Sequence, residues 1–191
     1  INIKDYDLIV IGAGSGGVRA ARIAANYGAK VAIVESVRVG GTCVLRGCVP
    51  KKLLVYGSHI AHDLEDASGF GWNIGSIEHD WVKLIEAKNN ELDRLNSIYL
   101  NLLSKVEIIT GFGKIIGNNE VEVNGSIIRA NKILIAVGGK SFLPKIKGID
   151  LCINSDQALD LKALPKKIVI NGGGYIALEF ASIFASFGSD V

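Results

Sequence analysis

Residues 6–11 (YDLIVI) form an apolar run broken only by Asp7, the pattern of a buried strand. A glycine turn follows at 12–17, and then VRAARIAANYG (18–28), whose alanines and spaced apolar positions predict a helix closed by Gly28. KVAIV (30–34) reads as a second strand, with Glu35 at its end. Strand, helix and strand of this kind form a right-handed parallel unit. Residues 37–49 read as a glycine-rich loop, and a helix is expected from about Pro50 to Asp66. A longer amphipathic helix is expected from about Trp81 to Lys105, with Leu84, Ile85, Leu92, Leu95, Ile98, Leu102 and Leu103 forming its apolar stripe.

Beyond residue 105 the period shifts to two. VEII (106–109), GKII (113–116), EVEV (120–123) and SIIR (126–129) are separated by Gly and Asn and read as a small antiparallel meander. KILIAV (132–137) is a further buried strand, ending at Gly138-Gly139, and 140–165 has no clear period. Residues 166–191 then repeat the opening order of strand, glycine turn and helix. The fold class is therefore α/β: a doubly wound Rossmann-like domain (1–160) with a small β-meander, followed by the first βα unit (161–191) of a second nucleotide domain. The absence of methionine and a stop at Val191 within an apolar pattern lead us to expect a longer parent chain.

Composition narrows the choice of function. With 49% hydrophobic residues and 23 glycines but 3 prolines, the profile is globular, and a net charge of +2 gives no dedicated nucleic-acid surface. No segment approaches the roughly 18 apolar residues of a membrane span, and the first ten residues do not resemble a signal peptide. Three cysteines do not make a disulfide scaffold, so a reducing compartment, the cytoplasm, is expected.

Gly12, Gly14 and Gly17 supply a G-x-G-x-x-G turn between strand and helix, the arrangement that lets a pyrophosphate approach backbone N–H groups at a helix start. Glu35 stands where a carboxylate binds ribose hydroxyls, which disfavours a 2′-phosphate at this first site. The turn alone does not choose between FAD and NAD. Gly172, Gly174 and Ala177 form a second fingerprint, G-x-G-x-x-A.

Cys43 and Cys48 have four residues between them. A regular helix would hold their Cα atoms about 8–9 Å apart, beyond the reach of a disulfide. A bridge therefore needs an interrupted helix, which Gly47 favours. A metal site is not expected, because Cys152 stands alone and His59 and His62 have no matching partners.

The stretch GGTC-x-x-x-GC-x-P-K (Gly40 to Lys51), taken with the two fingerprints, resembles the glutathione reductase family of flavoprotein disulfide reductases over essentially the whole chain. The resemblance implies FAD at the first fingerprint, held by Gly12, Gly14, Ser15, Gly16 and Glu35, with Thr42, Phe112, Gly113 and Gly138 also on the cofactor. It implies that Cys48 faces the flavin and that Cys43 attacks the substrate disulfide. Lys51 would lie near the flavin, paired with Glu179. Gly172, Gly174, Tyr175 and Ile176 would bind NADPH, Tyr175 shielding the flavin until nicotinamide enters.

Pro50-Lys51-Lys52 is the pattern of glutathione and trypanothione reductases, where lipoamide and mercuric members carry Pro-Ser-Lys. Arg22 falls where glutathione reductases carry an arginine, and with Arg19 it suits an anionic disulfide. Ser15, Arg22 and Tyr99 are the candidate substrate residues. Each arginine could equally be a solvated helix charge, and Tyr99 a core residue. One departure is Ala136-Val137-Gly138, where the family often has Ala-Thr-Gly, so a hydroxyl is missing there. The expected activity is reduction of glutathione disulfide by NADPH in a homodimeric parent enzyme. The alternatives are lipoamide or trypanothione as substrate, or an FAD-binding piece without turnover. His59, His62 and His79 match no acid–base motif and read as structural or solvated, and Cys152 as a packed small residue.

Overall fold

The computed structural model describes residues 4–191. In chain order its elements are β1 (Lys4–Ile11), α1 (Ser15–Asn26), β2 (Val31–Glu35), α2 (Gly41–Leu45), α3 (Cys48–Asp66), α4 (Trp81–Leu102), β3 (Glu107–Thr110), β4 (Gly113–Gly117), β5 (Glu120–Val123), β6 (Ser126–Ile135), α5 (Ser155–Ala158) and α6 (Tyr175–Ser186), with short 3₁₀ turns at Ala67–Phe70 and Ile149–Leu151. The chain divides into two compact units interleaved in sequence. One runs up to Leu45 and takes in Leu92–Phe142, and the other joins Arg46–Glu91 to Leu143–Val191.

The first unit is built on a six-stranded sheet in the order β3-β2-β1-β6-β5-β4. β3, β2, β1 and β6 run parallel, while β6, β5 and β4 are antiparallel. Alternation along the strands sorts the core into two faces. Val10, Val31 and Ile33 pack under α1 with Val18, Ala21 and Ala25. Ile9, Ile11, Ala32 and Val34 face the other way, against Val121, Val123 and Ile128 of the antiparallel strands. Both faces of β1 and β2 are thus covered, which is why their sequences read as nearly continuous apolar runs.

The second unit is helical. α3, the N-terminal part of α4, α5 and α6 surround Leu54, Trp81, Ile85, Leu159, Phe180, Ile183 and Phe184. The Trp81 indole donates to the Leu161 carbonyl at 2.8 Å, so the large ring is buried without an unsatisfied N–H. Asn154 and Gln157 form a reciprocal capping box at the start of α5. Lys167 and Asp190 form a parallel bridge on either side of α6.

Five expectations need correction, the first being Cys152, which is exposed rather than packed. The stretch 37–49 is not all loop: Gly40 and Gly41 both take positive φ and launch α2, and α3 begins at Cys48, before Pro50. β3 does not belong to the meander but adds to the parallel sheet beside β2. SIIR and KILIAV are one strand, β6, pairing antiparallel with β5 and parallel with β1. KIVIN forms no extended strand and contributes only the bridge at Lys167. Among the described residues no helix is long and apolar enough to cross a membrane, and no group of His, Cys, Asp and Glu is placed to hold a metal ion.

Candidate functional site

The first fingerprint lies at the carboxyl end of β1, between the ends of β2 and β6. The Gly12 N–H donates to the Val34 carbonyl, and the Ala136 N–H to the Ile11 carbonyl, each at 2.8 Å. Gly12 takes φ +104°, and a Cβ there would stand 2.3 Å from the Ala136 oxygen. Only glycine fits this position. A Cβ on Gly17 would come within 1.9 Å of the Gly12 oxygen, so the first turn of α1 rests directly on the loop. α1 opens at Gly14 in extended conformation with no capping side chain, which leaves its first-turn N–H groups directed outward from the sheet end.

Glu35 fixes this loop. Its Oε2 accepts from the Ala13 N–H at 2.8 Å and its Oε1 from the Val37 N–H at 2.9 Å. The Gly40 N–H donates to the Ala13 carbonyl at 2.8 Å. Gly41 then meets Gly14 backbone to backbone, with the Cβ of any other residue at 41 falling 2.4 Å from the Gly14 Cα. The loop between β2 and α2 is held from outside by α4: Asn96 donates to the Val39 carbonyl, and Arg38 pairs with Asp93, both at 2.6 Å. The phosphate-loop candidates (Gly12, Gly14, Ser15, Gly16), Glu35 and Thr42 therefore share one end of the sheet. Phe112 and Gly113 follow β3, and Gly138 follows β6, at the carboxyl ends of the neighbouring parallel strands. This is where open α/β sheets bind nucleotides. Phe112 is exposed there. The cradle of glycine backbone, uncapped helix start and fixed carboxylate suits the pyrophosphate and ribose of a dinucleotide.

The substrate candidates of the first unit are more dispersed. Ser15 and Arg19 are exposed on α1, Arg22 is half-buried, and Tyr99 packs partly against the α1 face of the core.

The backbone between the cysteines is broken. α2 ends at Leu45, Arg46 and Gly47 are non-helical, and Cys48 is the first residue of α3, with Gly47 at φ −152° and ψ −111°. Cys43 is half-buried and Cys48 exposed. One turn further along α3, the Lys51 ammonium lies 2.8 Å from Oε1 of Glu179, the fifth residue of α6, both side chains about one-third exposed. Gly172 and Gly174 precede α6, and Tyr175 and Ile176, its first residues, are both exposed. Gly172 takes φ +134°, but only the Ala177 methyl, 4.0 Å away, comes near where its Cβ would be. The second turn is therefore open where the first is filled by Ala136 and Val137, the residues that follow β6.

Three further residues converge, one of them Arg46, two positions before Cys48. Asp160 accepts from the buried Lys88 at 2.9 Å and is ion-paired to Arg46. Burial raises the Asp160 carboxyl, but the hydrogen bond and charge of Lys88, with Arg46, outweigh it and hold the group below the ordinary carboxylate range. A signal for Lys88 existed in the sequence: it falls on the stripe of Trp81, Ile85 and Leu92, where a helix buries its apolar face. His79 stacks on Phe187 at 4.3 Å, and burial pulls its pKa down. His62 bonds Ser186 at 2.9 Å.

The family model for pyridine nucleotide-disulphide oxidoreductases matches residues 6–191. The chain belongs to that family. It is 53% identical over 189 residues to a glutathione reductase of Burkholderia cepacia, covering 98% of this chain and 42% of that protein. It is 52% identical over 200 residues to the chloroplastic/mitochondrial glutathione reductase of Pisum sativum, covering 98% and 36%. A dihydrolipoyl dehydrogenase of Acholeplasma laidlawii is 39% identical over 197 residues, covering 98% and 59%. The chain thus spans about two-fifths of the length of the glutathione reductases it matches. In this chain the six-stranded sheet and its glycine turn occupy the first compact unit.

Proposed function

We propose that this chain is the N-terminal part of a flavoprotein disulfide reductase that passes electrons from NADPH, through FAD and the Cys43–Cys48 pair, to glutathione disulfide. The observation that carries the reading is the break at Arg46-Gly47. It puts the two cysteines on separate helical turns and removes the spacing that a continuous helix would impose.

Gly12, Gly14, Ser15, Gly16 and Glu35 would hold the ADP half of FAD, with Thr42 beside its flavin and Phe112, Gly113 and Gly138 also on the cofactor. Bound FAD would supply the two-electron relay between nicotinamide and thiols. The Cys43 thiolate would attack one sulfur of the substrate, releasing the first glutathione as thiolate and leaving a mixed disulfide. Attack by the Cys48 thiolate on the Cys43 sulfur would release the second glutathione and re-form the protein disulfide. The Lys51–Glu179 pair, 2.8 Å long, would hold a cation beside the flavin. Gly172, Gly174, Tyr175 and Ile176 would receive NADPH.

Glutathione is favoured over lipoamide by Pro50-Lys51-Lys52, by Arg19 and Arg22 on α1, and by the two glutathione reductases at higher identity than the dihydrolipoyl dehydrogenase. Ser15, Arg22 and Tyr99 would form the substrate side. We further propose that residues 1–160 form the FAD domain and 161–191 open the NADPH domain, and that the complete protein is a homodimer of the cytoplasm.

The test is NADPH oxidation by the complete protein with glutathione disulfide, lipoamide and trypanothione disulfide side by side. Glutathione disulfide should be turned over fastest, and Cys43→Ser and Cys48→Ser should each abolish turnover while flavin is retained. A protein that binds no flavin, or that keeps its activity in either serine variant, contradicts the reading.

A further inference from the structure

Lys88 is the largest fully buried side chain of the described residues, with its residue surface 2% exposed. Its ammonium donates to the Leu159 carbonyl at 2.6 Å and to Asp160 Oδ1 at 2.9 Å. The other carboxylate oxygen, Oδ2, takes the Arg46 guanidinium. Arg46 immediately precedes Gly47, the residue that opens α3, and stands two positions before Cys48. All four residues lie in the second compact unit.

A buried ammonium is costly to desolvate, and a methionine or leucine on the Trp81–Ile85–Leu92 stripe would fill the same space without that cost. The charge at 88 has one evident effect: it keeps Asp160 ionised and aimed at Arg46. Arg46 in turn is held at Asp160, two residues before the Cys48 thiol. We propose that Lys88 and Asp160 are positioning residues for Cys48, which act through Arg46 by anchoring the start of α3 and neutralising the guanidinium two residues before the thiol. The inference rests on the reading of Cys43 and Cys48 as a redox pair.

The consequence is a shift in redox equilibrium. Without the Asp160 carboxylate, Arg46 becomes an uncompensated cation close to Cys48. A nearby cation favours thiolate over disulfide sulfur, so the pair moves toward its reduced form. One unit charge acting across a partly exposed site corresponds to about threefold to tenfold in the equilibrium constant.

The complete protein would be equilibrated in glutathione redox buffers, and the Cys43–Cys48 disulfide fraction read by alkylation and mass spectrometry. Asp160→Asn is expected to shift the equilibrium about threefold to tenfold toward dithiol. In an Arg46→Gln background the same substitution should shift it less than about twofold, because the guanidinium it releases is gone. Should Asp160→Asn fail to fold with Lys88 stranded, the Lys88→Met/Asp160→Asn pair removes the buried charge together with its partner and should show the same shift toward dithiol.

An equilibrium within about twofold of wild type in a folded Asp160→Asn or paired variant overturns the proposal. So does a shift of equal size with and without Arg46. A wild-type protein that forms no Cys43–Cys48 disulfide in any buffer is a different outcome: it overturns the redox reading itself, and the proposal with it.

Discussion

The contact between Gly41 and Gly14 can be tested quantitatively. In Gly41→Ala the new methyl carbon would lie 2.4 Å from the Gly14 Cα and 3.3 Å from its nitrogen. Ordinary carbon–carbon contact is about 3.5–4.0 Å, so one backbone must retreat by more than about 1 Å. Neither partner is a flexible side chain. Gly14 is the start of α1, and its neighbour Ala13 is bonded to Glu35 and to the Gly40 N–H. Overpacking of this kind costs about 1–3 kcal/mol. Gly41 also takes φ +64°, where a non-glycine residue costs about 1–2 kcal/mol more. A total loss of about 2–5 kcal/mol is expected, read as a lower urea midpoint at unchanged m. Gly28→Ala separates the two contributions: Gly28 has φ +92° but nothing within 4 Å of its Cβ position, so only the backbone cost of about 1–2 kcal/mol applies. The reasoning is refuted if Gly41→Ala is no more destabilising than Gly28→Ala.

Two other substitutions follow from the same geometry. Glu35→Gln turns one acceptor into a donor facing a backbone N–H, at Ala13 or Val37. It should cost about 1–3 kcal/mol of stability and weaken flavin retention, measured by urea titration and by flavin release on dilution. Asp160 is held below its ordinary value of 3.8, so its ionised form stabilises the fold. The stability advantage of wild type over Asp160→Asn should be full above that value and decline as pH falls through the lowered folded pKa. Urea unfolding from pH 7 to pH 3 checks this, and an advantage that grows on acidification would contradict it.

What could be read from the sequence was local. β1, α1, β2 and Glu35 announce themselves because an apolar run, a glycine turn and an alanine-rich helix each carry their own period. The Lys51–Glu179 contact followed from two motifs recognised separately. The features that were missed depend on long-range partners. VEII reads as a strand, but a period of two does not say whether its neighbour is β2 or β4. Ala130-Asn131 looks like a turn between SIIR and KILIAV, yet β1 pairs along both segments and draws them into one strand. α2 was hidden because its five residues begin with a glycine and contain less than two turns of pattern. Lys88 sits on an apolar stripe, and only the fold brings Asp160 and Arg46 to it.

β6 is bonded along one edge to β1 from Ile128 to Ile135 and along the other to β5 from Ser126 to Arg129. Its ten residues make a single rod about 30 Å long, leading from the hairpin to the carbonyl that abuts Gly12. Deuterium entering the hairpin amides must therefore wait for openings shared with the central ladder. An insertion at the hairpin tip, by contrast, would be absorbed in the turn, because β1 fixes the register of β6 up to the nucleotide end.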